Sequence, residues 1–519
     1  MTDGQHAPDS FYDVLVVGSG GGAMTAAFLA ARAGLRTAVV ERTGFLGGTS
    51  AYSGGACWLP GSAVQQRAGL PDSTASAREY LDVVLAGDAD WSPDPARIEA
   101  FLAQAPQLVE ELEAAGVPFE WLPFPEYYDA PGRVPSGRSI QPVSITRDEL
   151  PAEVAALVRP PVERDRAGQG GRRTLSGGQA LIARLAAGFV EAGGTVLTGH
   201  CVRHLLTEAS GGGDRVVGVW ATTEHGAVEL RARRGVVLGS GGFEGSDERR
   251  GEHGVPGDVA WTMAPAGTNI GEPIAAALVA GADADWTGLG WFCPGLEQPD
   301  GGGSFTLGFR SGLMVDRSGR RYGNECLPYD RFGRVMAQAA ERVPSWFVFD
   351  SREGGRLPAI AMPEGDPEAH LAAGTWVRAD TIADLALHLG MDAAVLVEQV
   401  ERFNGFCHSG VDEDFGRGED EYDTFFAFGE SPGPNRALCP VEVAPFYAAR
   451  FVLSDLGTKG GVRIDAEGRA LRPDGTAVPG LYACGNAAAS LFGPFYPGPG
   501  APLGSAMVMA SLAVRDLVG

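Results

Sequence analysis

The apolar run Asp13-Val14-Leu15-Val16-Val17 meets Gly18-Ser19-Gly20-Gly21-Gly22-Ala23, and this junction is the first place where residue type and spacing point to chemistry. A buried strand that ends in glycines and opens a helix can hold a phosphate. One glycine permits the tight turn, another lets the backbone come close, and free helix N–H groups face the anion. Gly18 and Gly20 take those two places, Ser19, Gly21 and Gly22 complete the cradle, and Ala23 allows close helix–strand packing. Glu41 stands where a carboxylate can accept hydrogen bonds from a ribose. A plain glycine-rich turn of an α/β fold has the same glycines, but the ordered set of strand, helix, second strand and acid reads as a dinucleotide site.

The elements that position these residues follow from the pattern. Met24 to Ala33 is a helix stopped by Gly34, and Leu35 to Val40 is the second strand. After Glu41 the chain runs Arg42-Thr43-Gly44-Phe45-Leu46-Gly47-Gly48-Thr49-Ser50-Ala51-Tyr52-Ser53-Gly54. A nicotinamide domain would start another strand–helix–strand unit here. Small hydroxyl residues after paired glycines suit instead a path along an extended diphosphate toward an isoalloxazine ring. FAD is therefore the expected cofactor, with Arg42, Gly48, Thr49, Ser50, Ser53 and Gly54 among its contacts. Near the other end, Gly480 to Asn486 is a strand with a small-residue turn, and Gly504 to Leu517 a long helix. They offer a second helix N-terminus, with Gly485, Asn486, Pro502 and Leu503 as contacts, or else only finish the sheet. Middle strands are expected at Thr195–Thr198, Val216–Ala221 and Gly235–Leu238. The last runs into Gly239-Ser240-Gly241-Gly242, where Gly241 either touches the cofactor or belongs to a turn.

Composition narrows the class. Lys and Arg number 41 against 65 Asp and Glu, a net charge of −24, which opposes binding to nucleic acid or an anionic membrane. A 44% apolar content excludes global disorder. Seven scattered cysteines without a CxxC suit reduced thiols and a cytoplasmic setting. His200 and His204 have metal-like spacing but lie on a strand, roughly 13 Å apart, so no metal is expected. Met1 to Ser10 has no signal layout, and no apolar stretch is read as approaching the roughly 20 residues of a transmembrane segment. Peripheral membrane contact stays open.

Several stretches together resemble the FAD-dependent family of fumarate reductase flavoproteins and 3-ketosteroid dehydrogenases, over nearly the whole chain. They are Val16 to Ala23, Gly47 to Gly54, Phe124-Pro125-Glu126-Tyr127-Tyr128 and Asn324-Glu325-Cys326-Leu327-Pro328-Tyr329-Asp330. Leu453-Ser454-Asp455-Leu456-Gly457-Thr458-Lys459-Gly460-Gly461 and Phe495-Tyr496-Pro497-Gly498-Pro499-Gly500 point to the 3-ketosteroid Δ1-dehydrogenase branch. Relatives with covalent flavin carry a His just after the paired glycine. Thr49-Ser50-Ala51 stand there instead, so the resemblance implies non-covalent FAD.

The resemblance implies a substrate site as well. Removing two hydrogens beside a ketone needs a polarised carbonyl, a base and a hydride acceptor. Tyr496 and the Gly500 N–H would hold the ketone oxygen. Tyr329 would take the C2 proton, assisted by Tyr127, with Tyr128 the competitor for that role. Phe124, Trp291, Phe292, Pro328, Phe492 and Pro499 would wall an apolar steroid slot, and an acceptor such as a quinone would reoxidise the flavin. The expected architecture is α/β: a Rossmann-like FAD-binding domain split between 1–285 and 444–519, with an inserted α+β catalytic or cap domain at 286–443. Asp412 to Asp423 is read as a solvated acidic loop, and Ser210 to Gly213 as a hairpin tip. The alternatives are a Δ4-dehydrogenase or a relative acting on another cyclic ketone, a fumarate-reductase-like enzyme with cationic dicarboxylate anchors, and a non-catalytic escort protein without FAD.

Overall fold

Val14, Leu15 and Val16 are fully buried, as a run without alternation must be when both faces are covered. In the computed structural model, which describes residues 11–209, 213–427, 431 and 433–519, strand Phe11–Val17 lies inside an eight-stranded sheet. It is parallel to Gly226–Leu238 on one side and Thr37–Val40 on the other. Thr195–Leu197 extends the sheet beyond Thr37–Val40, and Ala477–Ala483 lies parallel beyond Gly226–Leu238. Cys201–Glu208 and Arg215–Thr223 add an antiparallel ribbon to the first half of Gly226–Leu238. The strands expected near Thr195, Val216 and Gly235 are thus present, and segments from both ends of the chain share one sheet. The expected hairpin tip is outside the described residues at 210–212.

Helix Ala501–Val518 packs on helix Gly21–Arg32. By length and composition it could cross a membrane, so the expectation that no stretch comes near that length is corrected. It is nevertheless 61% buried inside the protein, as a core helix is.

A second, seven-stranded antiparallel sheet lies between Gly290 and Thr458 in sequence. Its centre is the long strand Phe446–Thr458, which pairs with Gly290–Glu297, Ser345–Asp350 and Trp376–Ala379. Helix Tyr329–Ala337 crosses strand Gly290–Glu297 at Gly333, where a Cβ would come within 2.8 Å of the Cys293 nitrogen. That close approach holds Tyr329 at one end of the crossing.

The segment read as a solvated acidic loop is in part core. Asp412, Arg417 and Asp423 are buried. Arg321 pairs with both Glu325 and Asp412, at 2.9 and 2.8 Å, and Arg417 pairs with Glu325 at 3.1 Å. Mixed charge on a short segment signals solvation only when no partner waits in the core, and here Arg321 and Glu325 supply one. Burial pushes the Glu325 carboxyl up, but the two guanidiniums, Arg321 first, more than offset it, and the net shift is down. A carboxyl held low in the folded state stabilises above its unfolded value of about 4.3, and that contribution is lost as pH falls through the lower folded value. Glu325→Ala is expected to cost about 3–5 kcal/mol. It should also remove the part of the stability loss between neutral pH and pH below about 4 that urea titrations detect in the wild type.

Candidate active site

The first sheet ends its parallel strands on one cleft. Val17 and Gly18, Gly239, and Cys484 and Gly485 all line it, and so do Val40 and Glu41. A cleft outside the carboxyl ends of parallel strands is where an open α/β sheet binds its ligand. Gly18 has φ +96°, and a Cβ there would stand 2.6 Å from the Gly239 oxygen. The helix beginning at Gly21 has no side-chain cap and no acid in its first turn, so part of its amide set is left for an anion. Ser50 Oγ accepts from the Gly21 N–H at 3.0 Å and ties the Gly47–Ser53 segment to the cradle.

Every residue expected to contact the cofactor lines this cleft: Gly18 to Ala23, Glu41, Arg42, Gly48, Thr49, Ser50, Ser53, Gly54, Gly241, Gly485, Asn486, Pro502 and Leu503. The Glu41 carboxylate is held by Ser19 Oγ at 2.5 Å and by the N–H and hydroxyl of Thr43 at 2.8 and 2.9 Å. Arg42 lies beside it and pairs with Glu272 at 2.8 Å. Asn269, not among the named cofactor contacts, also lines the cleft at φ 52°, and its amide reaches Thr49 Oγ1 and buried Glu244. Burial raises the Glu244 carboxyl to about 7. The glycine-bounded turn Thr268–Gly271 was the available signal for Asn269. Among the described residues no His, Cys, Asp and Glu group is arranged for a metal. His200 instead lines the cleft, with Nδ1 2.7 Å from the Thr198 oxygen. A long diphosphate-linked ligand fits these residues, because a Cβ at Gly18 would obstruct the turn and the two helix N-termini at Gly21 and Ala501 open onto the same space.

Beyond Gly500 the lining becomes apolar: Leu122, Phe124, Met263, Phe305, Leu307, Met362 and Pro499. Phe124 and Pro499 were expected there. Phe292, Pro328, Trp291 and Phe492 are buried and lie behind the lining. Phe292 is turned into the crossing with helix Tyr329–Ala337, against Gly333, and Pro328 caps that helix. Phe305 and Leu307 were missed, although their alternation along strand Gly303–Leu307 is the signal of a shared face.

Tyr329 and Tyr496 both line the cleft, and the Tyr329 hydroxyl donates to the Tyr496 oxygen at 2.5 Å. The Tyr127 ring packs edge-on against both, with centroids 5.7 and 5.1 Å away. Tyr128 points elsewhere, its hydroxyl accepting from Arg334 at 2.9 Å. A fourth phenol, Tyr422, stands 5.4 Å from the Tyr127 ring and was hidden in the stretch read as solvated. Burial pushes the Tyr329 phenol well above 10, Tyr496 adds to that, and the Tyr127 hydroxyl pulls it back down. Burial also raises Tyr496, opposed by the bond from Tyr329 and by the Gly500 N–H, which faces the same oxygen.

The loop carrying Tyr496 is held from outside. The Tyr80 hydroxyl and the Tyr127 N–H bind the Pro497 carbonyl at 2.6 and 3.1 Å, Ser139 Oγ binds that of Pro499 at 2.6 Å, and the Trp58 N–H that of Gly500 at 3.2 Å. Gly500 has φ +81°, and a Cβ there would overlap Ala56. Its helical start aims the backbone of the next element, Ala501–Val518, at the cleft.

A cleft at the strand ends with two glycine-opened helices defines a flavin nucleotide site, and the chain belongs to the FAD binding domain family, which it matches over residues 13–503. FAD is its cofactor. Within that class it is similar to the 3-oxosteroid 1-dehydrogenase of Rhodococcus opacus, at 39% identity over 97% of this chain and 98% of that protein. It is 33% identical to 4-oxocyclohexanecarboxylate 2-dehydrogenase of Sinomonas cyclohexanicum, over 99% and 94% of the two chains. The solved structure of 3-ketosteroid delta1-dehydrogenase from Sterolibacterium denitrificans in complex with 1,4-androstadiene-3,17-dione superimposes with a TM-score of 0.89 at 31% identity. That match covers 98% of this chain and 100% of the other. The family expected from the sequence is therefore the family found.

Gly18→Val should leave a folded protein without flavin: purified variant retains its circular dichroism but lacks the yellow absorbance of the wild type.

Proposed function

We propose that the chain is an FAD-dependent 3-ketosteroid Δ1-dehydrogenase, converting a 3-keto-4-ene steroid to the 1,4-diene. The observation that carries this reading is the convergence of the Tyr329 and Tyr496 hydroxyls with the Gly500 N–H at the junction of the cofactor cradle and an apolar slot. Tyr496 and Gly500 hold the C3 oxygen and favour negative charge on it, and losing one such donor typically costs about 3 kcal/mol of barrier. That charge acidifies C2, whose proton passes to the Tyr329 oxygen. Tyr127, buried against both rings, stabilises the Tyr329 phenolate, the form that accepts the C2 proton and becomes neutral on doing so. Bound flavin supplies the acceptor for the hydride leaving C1. The apolar walls hold the ring system flat and exclude water. A quinone-type acceptor removes the electrons afterwards.

In this reading a cofactor-binding body, 1–285 with 444–519, carries a cap at 286–443. Strand Phe446–Thr458 joins the two, since by pairing it belongs to the cap's sheet. A carboxylated substrate such as 4-oxocyclohexanecarboxylate, or a dicarboxylate, is disfavoured by charge. The arginines lining the cleft, Arg42 and Arg159, are paired with Glu272 and Asp165 at 2.8 and 2.6 Å and lie beside Glu41 and Thr43.

Anaerobic mixing with a 3-keto-4-ene steroid should bleach the flavin and yield the 1,4-diene. Tyr329→Phe should retain FAD and lose about 10²–10⁴ in turnover; near-normal turnover would remove Tyr329 from the base role. Because burial holds the Tyr329 phenol above 10, its base form grows with pH, so kcat should climb from neutral through alkaline pH until the fold fails. FAD should also be released by acid precipitation, leaving no flavin on the polypeptide.

A further inference from the structure

Lys459 is fully buried, lies in the Leu453–Gly461 stretch, and has no part in the chemistry above. Its ammonium donates to the carbonyls of Pro494 and Phe495, at 3.0 and 3.4 Å, immediately before Tyr496. It stands over the Trp291 ring at 4.1 Å, and Trp291 packs edge-on to Tyr496, 5.1 Å between centroids. On its other side is Asp330, 3.5 Å away, also fully buried and next in sequence to Tyr329. The Asp330 oxygens make no hydrogen bond, and their remaining ionic contact is Arg334 at 3.4 Å. The Lys459 backbone is itself pinned, its N–H to the Leu289 carbonyl and its carbonyl to the Ser490 N–H, both at 3.0 Å.

We propose that the Lys459–Asp330 pair is a positioning device that sets the gap between the Tyr329 hydroxyl and the Tyr496–Gly500 clamp, tying the base-bearing helix to the ketone-binding loop. The proposal rests on the roles given above to Tyr329 and Tyr496. A dry ion pair contributes little net stability, since desolvation offsets the attraction. A pair with long contacts on one side and backbone bonds on the other is poorly placed to stabilise and well placed to register two segments. The electrostatics agree. Burial lowers the Lys459 ammonium to about 8 while Asp330 pulls it back up, and Asp330 also opposes ionisation of Tyr496, which keeps that hydroxyl a donor.

The test compares Lys459→Met/Asp330→Asn, which removes both fully buried charges of the pair, with Asp330→Asn, which keeps the Lys459 bonds to the loop. Dissociation constants for a 3-keto-1,4-diene steroid and for its 3-deoxy analogue are read from the perturbation of flavin absorbance, alongside kcat. The double variant should keep its flavin, bind the 3-keto ligand about tenfold more weakly and bind the 3-deoxy ligand as before. Asp330→Asn should keep 3-keto binding and lose mainly kcat, because only the base helix is released. Parallel weakening of both ligands, or wild-type binding and kcat in both variants, overturns the proposal. A wild-type enzyme that does not distinguish the two ligands overturns the clamp itself, and the positioning role falls with it.

Discussion

Two prolines between Tyr496 and Gly500 remove amide donors from the loop, so the loop cannot fold on its own hydrogen bonds. Its shape is imposed largely through carbonyls that have an external donor: Tyr80 and the Tyr127 amide for Pro497, Ser139 for Pro499, the Trp58 amide for Gly500, and Lys459 for Pro494 and Phe495. The donors come from several distant segments. The loop is consequently a readout of the whole assembly, and a hydroxyl placed on it inherits the rigidity of its surroundings.

Burial gives the tyrosines opposite tasks from the same chemistry. Removing a phenol from water disfavours its anion, which suits Tyr496, whose use is to stay a donor. The same burial works against Tyr329, which must become an acceptor of a proton. The neighbours act in both directions: the bond between the two hydroxyls raises Tyr329 and lowers Tyr496, while Tyr127 lowers Tyr329 and Asp330 raises Tyr496. Identical side chains, with oxygens 2.5 Å apart, thus differ in their surroundings: the Tyr127 phenol packs on Tyr329, and the Asp330 carboxylate opposes ionisation of Tyr496. A single tyrosine could not both hold the ketone oxygen and face the carbon beside it.

The cofactor half of the site was legible in the sequence because backbone freedom decides it. Gly18 at φ +96° and the unblocked helix start at Gly21 depend on what is missing from the side chain, and glycine spacing records that directly. The slot was harder to read, because lining is a matter of direction. Phe292 has the right type, but Gly333 draws helix Tyr329–Ala337 onto it, while Phe305 and Leu307 reach the cleft from a neighbouring strand. Tyr422 and the Arg321–Glu325–Asp412–Arg417 cluster escaped for another reason. Charge on a short stretch reads as exposure, and its partners lie about 90 residues away, beyond any local pattern.

Charge also explains why the same fold can serve a neutral ketone. With a net charge of −24, a cleft for an anionic substrate would need unpaired cations aimed into it. The cations at the cofactor end are committed to Glu272 and Asp165. The ammonium nearest the clamp, Lys459, is turned onto carbonyls, a carboxylate and an indole face. What remains in the slot is mainly hydrocarbon, with two hydroxyls and one amide at the clamp. Such a surface recognises a carbonyl oxygen on an otherwise greasy body, because Tyr496, whose oxygen accepts from Tyr329, has its own hydroxyl hydrogen to donate.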